Sequence, residues 1–277
     1  MSEKLTEPEL LWELSAEGVT QLTLNRPQAG NSISAALREE LISRLGEASA
    51  DPRVRVVVLT ATGARHFCTG ADLAGSGVSA GARPEGMPDR VAGSVSRAIA
   101  GGAQRLVSAV LDCEKPVIAA VNGTAAGIGC HLAYACDLIL AADSAKFIEV
   151  FVRRGLVVDG AGAYLLARLI GPQRAKELVF FGDDLSAVSA ERLGLVNQVV
   201  PASKLAEATA DWAERLAAGP TVALGLSKRL INRALDGDRA TSLAEEAMAA
   251  EINMSSEDGQ EGLRAFVERR APQFHGW

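Results

Sequence analysis

The 277-residue sequence predicts an α/β fold in which strand-then-helix units repeat and a helical C-terminal stretch follows. Three observations carry that prediction. Short runs rich in Val, Ile and Leu alternate with helix-spaced runs through the first two-thirds of the chain. Two of the strand-like runs lead into turns made of glycine and alanine. From 203 to 270 the apolar spacing is helical throughout, with breaks at Gly219-Pro220 and Asp236-Gly237.

Taken in order, VTQLTLN (19–25) alternates apolar and polar residues and stops at Arg26-Pro27, as a half-buried strand does. Residues 32–50 carry apolar side chains at helical spacing and start on a serine suited to N-capping. RVVVLTAT (55–62) is β-branched on both faces, which predicts a buried strand. Residues 74–90, AGSGVSAGARPEGMPDR, have no periodicity and predict a loop. A helical stretch over 91–112 precedes the strand PVIAAVNG (116–123), and GTAAGIGCHLAYACD (123–137) supplies a turn and a helix. DLILAAD (137–143) and KFIEVF (146–151) predict strands, 160–181 and 186–193 helices, and GLVNQVV (194–200) a last strand. The chain thus divides into an α/β core over 1–202 and a helical region over 203–277.

Composition narrows the function. Aromatics make up 4% of the residues, the net charge is −6 and no dense Lys/Arg block occurs, so a nucleic-acid surface has no electrostatic or stacking support. MSEKLTEPEL has no apolar core of the secretory kind, which predicts a cytoplasmic protein. The most apolar stretch is interrupted by Asn122, His131 and Asp137, which argues against a membrane span. Cys68, Cys113, Cys130 and Cys136 lack CxxC spacing and predict buried free thiols with no metal site.

Chemistry concentrates in TGARHFCTGADL (62–73) and NGTAAGIGCHL (122–132), where a strand runs into a small-residue turn. The second turn opens a helix whose first N–H groups lack intrahelical partners. Two such turns side by side can aim two backbone N–H groups at one oxygen and stabilise an oxyanion, each donor contributing roughly 2.7–4 kcal/mol in a transition state. Glycine spacing by itself favours ordinary tight turns of an α/β sheet. Neither segment is a dinucleotide fingerprint or a phosphate loop.

LTLNRPQAGNSIS, VVVLTATGARHFCTGADL, KPVIAAVNGTAAGIGCHLAYACDLILAADSAKF, GLVVDGAGAYLLARLIG and GLRAFVERRAPQF together resemble the crotonase superfamily of enoyl-CoA hydratases, enoyl-CoA isomerases and relatives. The likeness spans nearly the whole chain in the right order. It implies a crotonase-like spiral of ββα units, a helical C-terminal trimerisation region, and a homotrimer or dimer of trimers. It implies an acyl-CoA thioester as substrate, coenzyme A being part of that substrate, and no prosthetic group. By position, the oxyanion donors would be the backbone N–H groups of Ala71 and Ile128. Contacts to CoA would come from Ala29, Ala71, Asp72 and Leu73. Phe266 and Arg269 would match C-terminal positions that a neighbouring subunit offers to the cofactor, although a helix-surface arginine equally fits a solvated charge.

The resemblance also shows where this chain departs from the hydratases. Two glutamates serve hydration there, and here His131 and Phe151 stand in their places, so ordinary hydratase chemistry loses both carboxylates. Asp159, in GLVVDGAG, falls where an aspartate acts as the base in several isomerase branches, and Val157 and Val158 precede it as an apolar wall that would raise its pKa. The pattern is most similar to epoxyphenylacetyl-CoA isomerase-like members, which likewise lack both glutamates. An isomerase that shifts a double bond, or rearranges a ring epoxide, through one aspartate is therefore the leading expectation. The alternatives are a hydratase in which His131 and Asp159 replace the glutamates, and a non-catalytic acyl-CoA binder. Asp159 also suits an N-cap of the following helix. His131 suits either an acid or base, or a wall residue hydrogen-bonded to substrate, water or Asp159. His66 and His275 are expected in solvent.

Overall fold

The computed structural model describes residues 7–72, 86 and 91–277; Leu73 and all of the 74–90 stretch except residues 86 lie outside the described residues. Strands β1 (Leu10–Leu14) and β2 (Val19–Leu24) form an antiparallel pair. Helix α1 (Ala35–Ala50) follows, its first turn capped by Ser34, whose Oγ accepts the Leu37 N–H at 3.0 Å.

Three consecutive units then share one plan: a long buried strand, a strand of three residues, and a helix. The first comprises β3 (Val56–Ala61), β4 (His66–Cys68) and α2 (Ser94–Ile99), which continues through a wide turn, Ala100–Gln104, into α3 (Arg105–Leu111). In the second are β5 (Val117–Val121), β6 (Thr124–Ala126) and α4 (Ile128–Tyr134). The third has β7 (Leu138–Ala142), β8 (Lys146–Ile148) and α5 (Gly162–Phe181), the last bent at Gly171–Pro172. A closing segment adds β9 (Asp184–Ser186), α6 (Ala187–Leu193) and β10 (Gln198–Val200). The helices α7 (Leu205–Ala217), α8 (Thr221–Ala234), α9 (Arg239–Met254) and α10 (Glu257–Glu268) complete the chain.

The long strands, with the three-residue β10 at one edge, assemble a six-stranded sheet in the order β1-β2-β3-β5-β7-β10, and the other three-residue strands a four-stranded sheet in the order β4-β6-β8-β9. Each turn of the spiral thus lays one strand on each sheet. The β-branched runs lie where helices or the other sheet cover both faces: Val56, Val57, Val117, Ile118 and Leu140 are wholly buried. Each contributes roughly 1.5–3 kcal/mol of transfer free energy.

Helix α7, inside the stretch predicted as all-helical, packs on β3, β5 and β7 through Leu205, Thr209, Ala213 and Ala217. Helix α8 is pinned by Lys228, which is buried; its Nζ lies 2.8 Å from Asp137 Oδ2 and donates to the carbonyls of Val110 and Lys115. A further break, at Ser255–Ser256, separates α9 from α10, with Ser256 Oγ accepting the Gly259 N–H. Among the described residues no helix is long and apolar enough to cross a membrane. The predicted strand over 146–151 ends at Ile148, and that early stop has consequences for the site.

Candidate active site

Strands β4 and β6 run parallel, with His66 opposite Thr124 and Cys68 opposite Ala125, so the turns after them leave the small sheet at the same edge. Each turn holds a glycine with positive φ, 112° at Gly70 and 55° at Gly127, where a Cβ would be strained. The following amides belong to Ala71 and Ile128. Ile33 donates to the Gly70 carbonyl at 2.9 Å and accepts from the Asp72 N–H at 3.0 Å, which leaves the Ala71 N–H between them without an acceptor. Ile128 opens α4, so its N–H has no partner in the preceding turn. Among the described residues neither amide donates a hydrogen bond.

The two turns also touch. A Cβ on Gly70 would meet the Ala126 carbonyl at 3.3 Å, and one on Gly129 would stand 2.2 Å from the Cys68 carbonyl. Only a glycine at 129 lets α4 lie on β4 this closely. Two unengaged amides on one edge form a backbone arrangement able to hold an oxyanion.

Asp159 reaches this edge from the third unit. It is not a helix cap: Ala161 holds the N-cap position of α5 with φ 66°, and no side chain caps the helix. The Asp159 backbone carbonyl accepts the Gly162 N–H at 3.0 Å, while its carboxylate makes no hydrogen bond among the described residues. The carboxylate is half-buried, and that burial pushes its pKa above the usual range, with His131 pulling in the opposite direction. The wall is narrower than two valines, because Val157 is 79% exposed and only Val158 turns partly inward. A Cβ on Gly160 would lie 2.7 Å from Ile128 Cδ1 and 3.4 Å from His131 Nδ1. The Asp159 turn therefore rests on the residue that carries one of the free amides.

His131 and Phe151, which the sequence resemblance sets at the glutamate positions of hydratases, face each other. Their rings stack with centroids 5.5 Å apart and planes 5° from parallel. Both are buried, and His131 is fully inaccessible. Its Nε2 lies 3.0 Å from Oε2 of Glu149, itself 3% exposed. Glu149 is the site residue that sequence reasoning missed. The signal was a single acid inside the apolar run KFIEVF, read there as part of a strand. Because β8 ends at Ile148, whose carbonyl accepts the Gly127 N–H at 3.0 Å, residue 149 is delivered beside α4.

The remaining candidates divide. Ala29 sits in the short turn Pro27–Ala29, which is tied to the Ala71 turn by the Thr69 N–H donating to the Gly30 carbonyl at 3.1 Å. Asp72 follows Ala71, and its carboxylate pairs with Arg26 at 2.7 Å, while Arg26 also pairs with Glu9 and donates to the Ser32 carbonyl. Any Asp72 contact to a ligand thus competes with this anchor. Leu73 lies outside the described residues. Phe266, 82% exposed, and Arg269 stand at the end of α10, which packs on α9, and no hydrogen bond or ion pair joins them to the paired turns.

His66 departs from the solvated expectation: it lies on β4, half-buried, with Nδ1 buried and unpartnered. His275 is exposed in the tail. All four cysteines are buried free thiols, and burial pushes Cys68 up to about 12 and raises Cys130 and Cys136, so these three are not poised as nucleophiles.

The chain is similar to known proteins along nearly its whole length. The enoyl-CoA hydratase/isomerase family model matches residues 15–276. The chain is 39% identical over 260 residues to the 1,2-epoxyphenylacetyl-CoA isomerase of Escherichia coli K12, covering 94% of this chain and 96% of the relative. It is 36% identical over 266 residues to a probable enoyl-CoA hydratase of Rhodobacter capsulatus, covering 96% and 97%. Among solved structures it superposes on the enoyl-CoA hydratase of Bacillus anthracis with a TM-score of 0.87 at 35% identity, over 98% of this chain and 100% of that one.

Proposed function

Because the chain belongs to the enoyl-CoA hydratase/isomerase family, within the crotonase superfamily, we propose that it is an enoyl-CoA isomerase with Asp159 as its single proton-transfer base. The thioester oxygen would sit between the N–H groups of Ala71 and Ile128, so that negative charge arising on it is met by two fixed dipoles. Asp159 would take a proton from the α-carbon of a 3-enoyl thioester. The electron pair moves into the dienolate, and the same carboxyl returns the proton to the γ-carbon, leaving the double bond conjugated. No water needs activation.

The observation that carries this proposal is the inventory of carboxylates. Asp159 is half-buried and raised in pKa, its carboxylate makes no hydrogen bond among the described residues, and its turn rests on Ile128. The two positions that activate water in hydratases hold a stacked His131–Phe151 pair instead. Glu149 does not restore hydration chemistry, since it and its His131 partner are closed to solvent. Replacing Asp159 by Asn tests the assignment with 3-hexenoyl-CoA as probe, followed by the ultraviolet absorbance of the conjugated product. Loss of turnover is expected, and turnover at the wild-type rate overturns it. Crotonyl-CoA gives the counter-test: hydration would remove its conjugated absorbance and favour the hydratase alternative. Tight thioester binding with no turnover across a panel would favour a non-catalytic binder.

The proposal extends to assembly. Leu243, Met248, Ile252, Leu263, Phe266 and Val267 are half or more exposed on α9 and α10, which supports a homotrimer or dimer of trimers built on the helical region. Light scattering on the purified chain measures it. The buried free thiols support a reducing, cytoplasmic setting.

A further inference from the structure

We propose that Glu149 and His131 form a buried positioning dyad that presents a protonated imidazole nitrogen to Asp159 and so keeps this aspartate ionised; the proposal rests on the isomerase reading of the site. The side chains are 0% and 2% exposed, with Nε2 and Oε2 3.0 Å apart. A carboxyl group taken this far from water needs a donor or cation to meet it, and the imidazole is its hydrogen-bonding partner here. With Nε2–H given to Glu149, the other ring nitrogen is left over. Nδ1 is buried, has no hydrogen-bond partner, and lies 3.4 Å from where Gly160 would carry a Cβ, beside Asp159.

The ring has little freedom to turn away. Phe151 stacks on its face, and a Cβ on Gly162 would lie 2.2 Å from Nε2, so the imidazole fills a slot that only glycine leaves open. Because Nε2 faces Glu149, a second proton on the ring can be carried only by Nδ1. Among the described residues, few charged or titratable groups surround the dyad. Asp159 faces His131, and Cys130 and Tyr134 from α4 face Glu149. Burial raises the thiol and the phenol well above their usual ranges, so both are neutral, and the wide turn at 100–104 contributes Ala103, which has no charge. The Nδ1 end of the dyad therefore lies on the side of the Gly160 turn, next to Asp159 in the chain, where a proton on it would oppose the effect of Asp159 burial. Neither dyad residue touches substrate; both act through the aspartate.

The test compares wild type with Glu149→Gln and His131→Gln on two readouts. In the first, kcat/KM for 3-hexenoyl-CoA is followed against pH. Each variant loses the imidazolium, the Asp159 carboxyl takes up its proton at higher pH, and the acid limb moves up. The loss at about pH 6 should exceed the loss at about pH 8 by ~3-fold or more, and the double variant should lose no more than either single one. In the second readout, nitrogen NMR of the labelled protein reports the protonation of Nδ1. With only three histidines in the chain, His131 is assignable by difference. Wild type should show Nδ1 protonated near neutral pH, and Glu149→Gln should show it bare. A folded Glu149→Gln protein with an unmoved acid limb overturns the proposal, as does a bare Nδ1 in wild type. If Glu149→Gln does not fold, His131→Gln, which keeps an amide donor for Glu149, decides on the acid limb. The NMR readout needs no substrate, so a protein that never converts 3-hexenoyl-CoA refutes the isomerase reading and leaves the dyad separately tested.

Discussion

Replacing Gly129 by Ala probes the contact that brings the two free amides together. The new methyl would sit 2.2 Å from the Cys68 carbonyl oxygen, 2.8 Å from Cys68 Cβ and 2.9 Å from the Cys68 carbonyl carbon. Ordinary contact begins near ~3.5 Å, so α4 and β4 must part by about 1 Å. Overpacking of this kind costs roughly 1–3 kcal/mol. The obstructing atoms belong mainly to backbone within a paired strand, which places the cost near the top of that range. For a chain of this size ~3 kcal/mol corresponds to a Tm lowered by about 6–12 °C. Gly129 immediately follows Ile128, and Cys68 lies three residues before Ala71, so the same separation misaligns both N–H groups. A displacement of about 1 Å at a reacting centre costs ~100-fold in rate, of the same order as losing an oxyanion donor outright. The assays are a circular-dichroism melt and the initial rate with 3-hexenoyl-CoA. Gly46→Ala is the control: Gly46 is exposed inside α1 with nothing within 4 Å of the added methyl. It should gain ~0.5–1 kcal/mol with unaltered turnover. A Gly129→Ala protein that melts within ~2 °C of wild type and keeps its rate would refute the close-packed origin of the oxyanion site.

Other consequences follow from burial and linkage. Asp159 has a raised native pKa, so protonation favours the folded state; that contribution is full below the unfolded carboxylate range, near 4, and is lost as pH rises through the native pKa. Asp159→Asn should therefore melt above wild type at neutral pH, with the advantage vanishing as pH falls to about 4; an equal gap at both pH values would contradict it. Asp258 is 2% exposed and holds the tail: its two carboxylate oxygens accept the N–H groups of His275 and Gly276 at 2.6 and 2.7 Å. Hydrogen bonds to a charged acceptor contribute roughly 1.5–3 kcal/mol each, so Asp258→Ala should lose ~3 kcal/mol or more in a denaturant titration and surrender Trp277 faster to carboxypeptidase. Unchanged protection of the tail would show that other contacts hold it.

Much of this molecule is written in local sequence. The alternation of VTQLTLN, the β-branched VVVL and the apolar VIAAV each state their burial pattern, and β2, β3 and β5 form where those runs lie. The glycines at 70, 127 and 129 mark places where chains approach closely, and the absence of glutamate at 131 and 151 is visible by inspection. Short-range physics suffices for these, because a strand's period, a cap and a tight turn are properties of neighbouring residues.

The small sheet was legible only at β8, which falls inside the predicted run 146–151. Strands β4, β6, β8 and β9 have three residues each, too few to show a period, and they exist because the spiral stacks one on the next. The same stacking decides placements that the local sequence left open. Asp159 could have capped α5, but the turn at Gly160 and Ala161 carries the helix start away from its carboxylate. Glu149 looked like one residue of a strand, yet the parallel register of β6 and β8 sets it against His131, 18 positions earlier in the chain. A buried acid and its partner are chosen by which backbone segments pair, and that choice belongs to the tertiary structure.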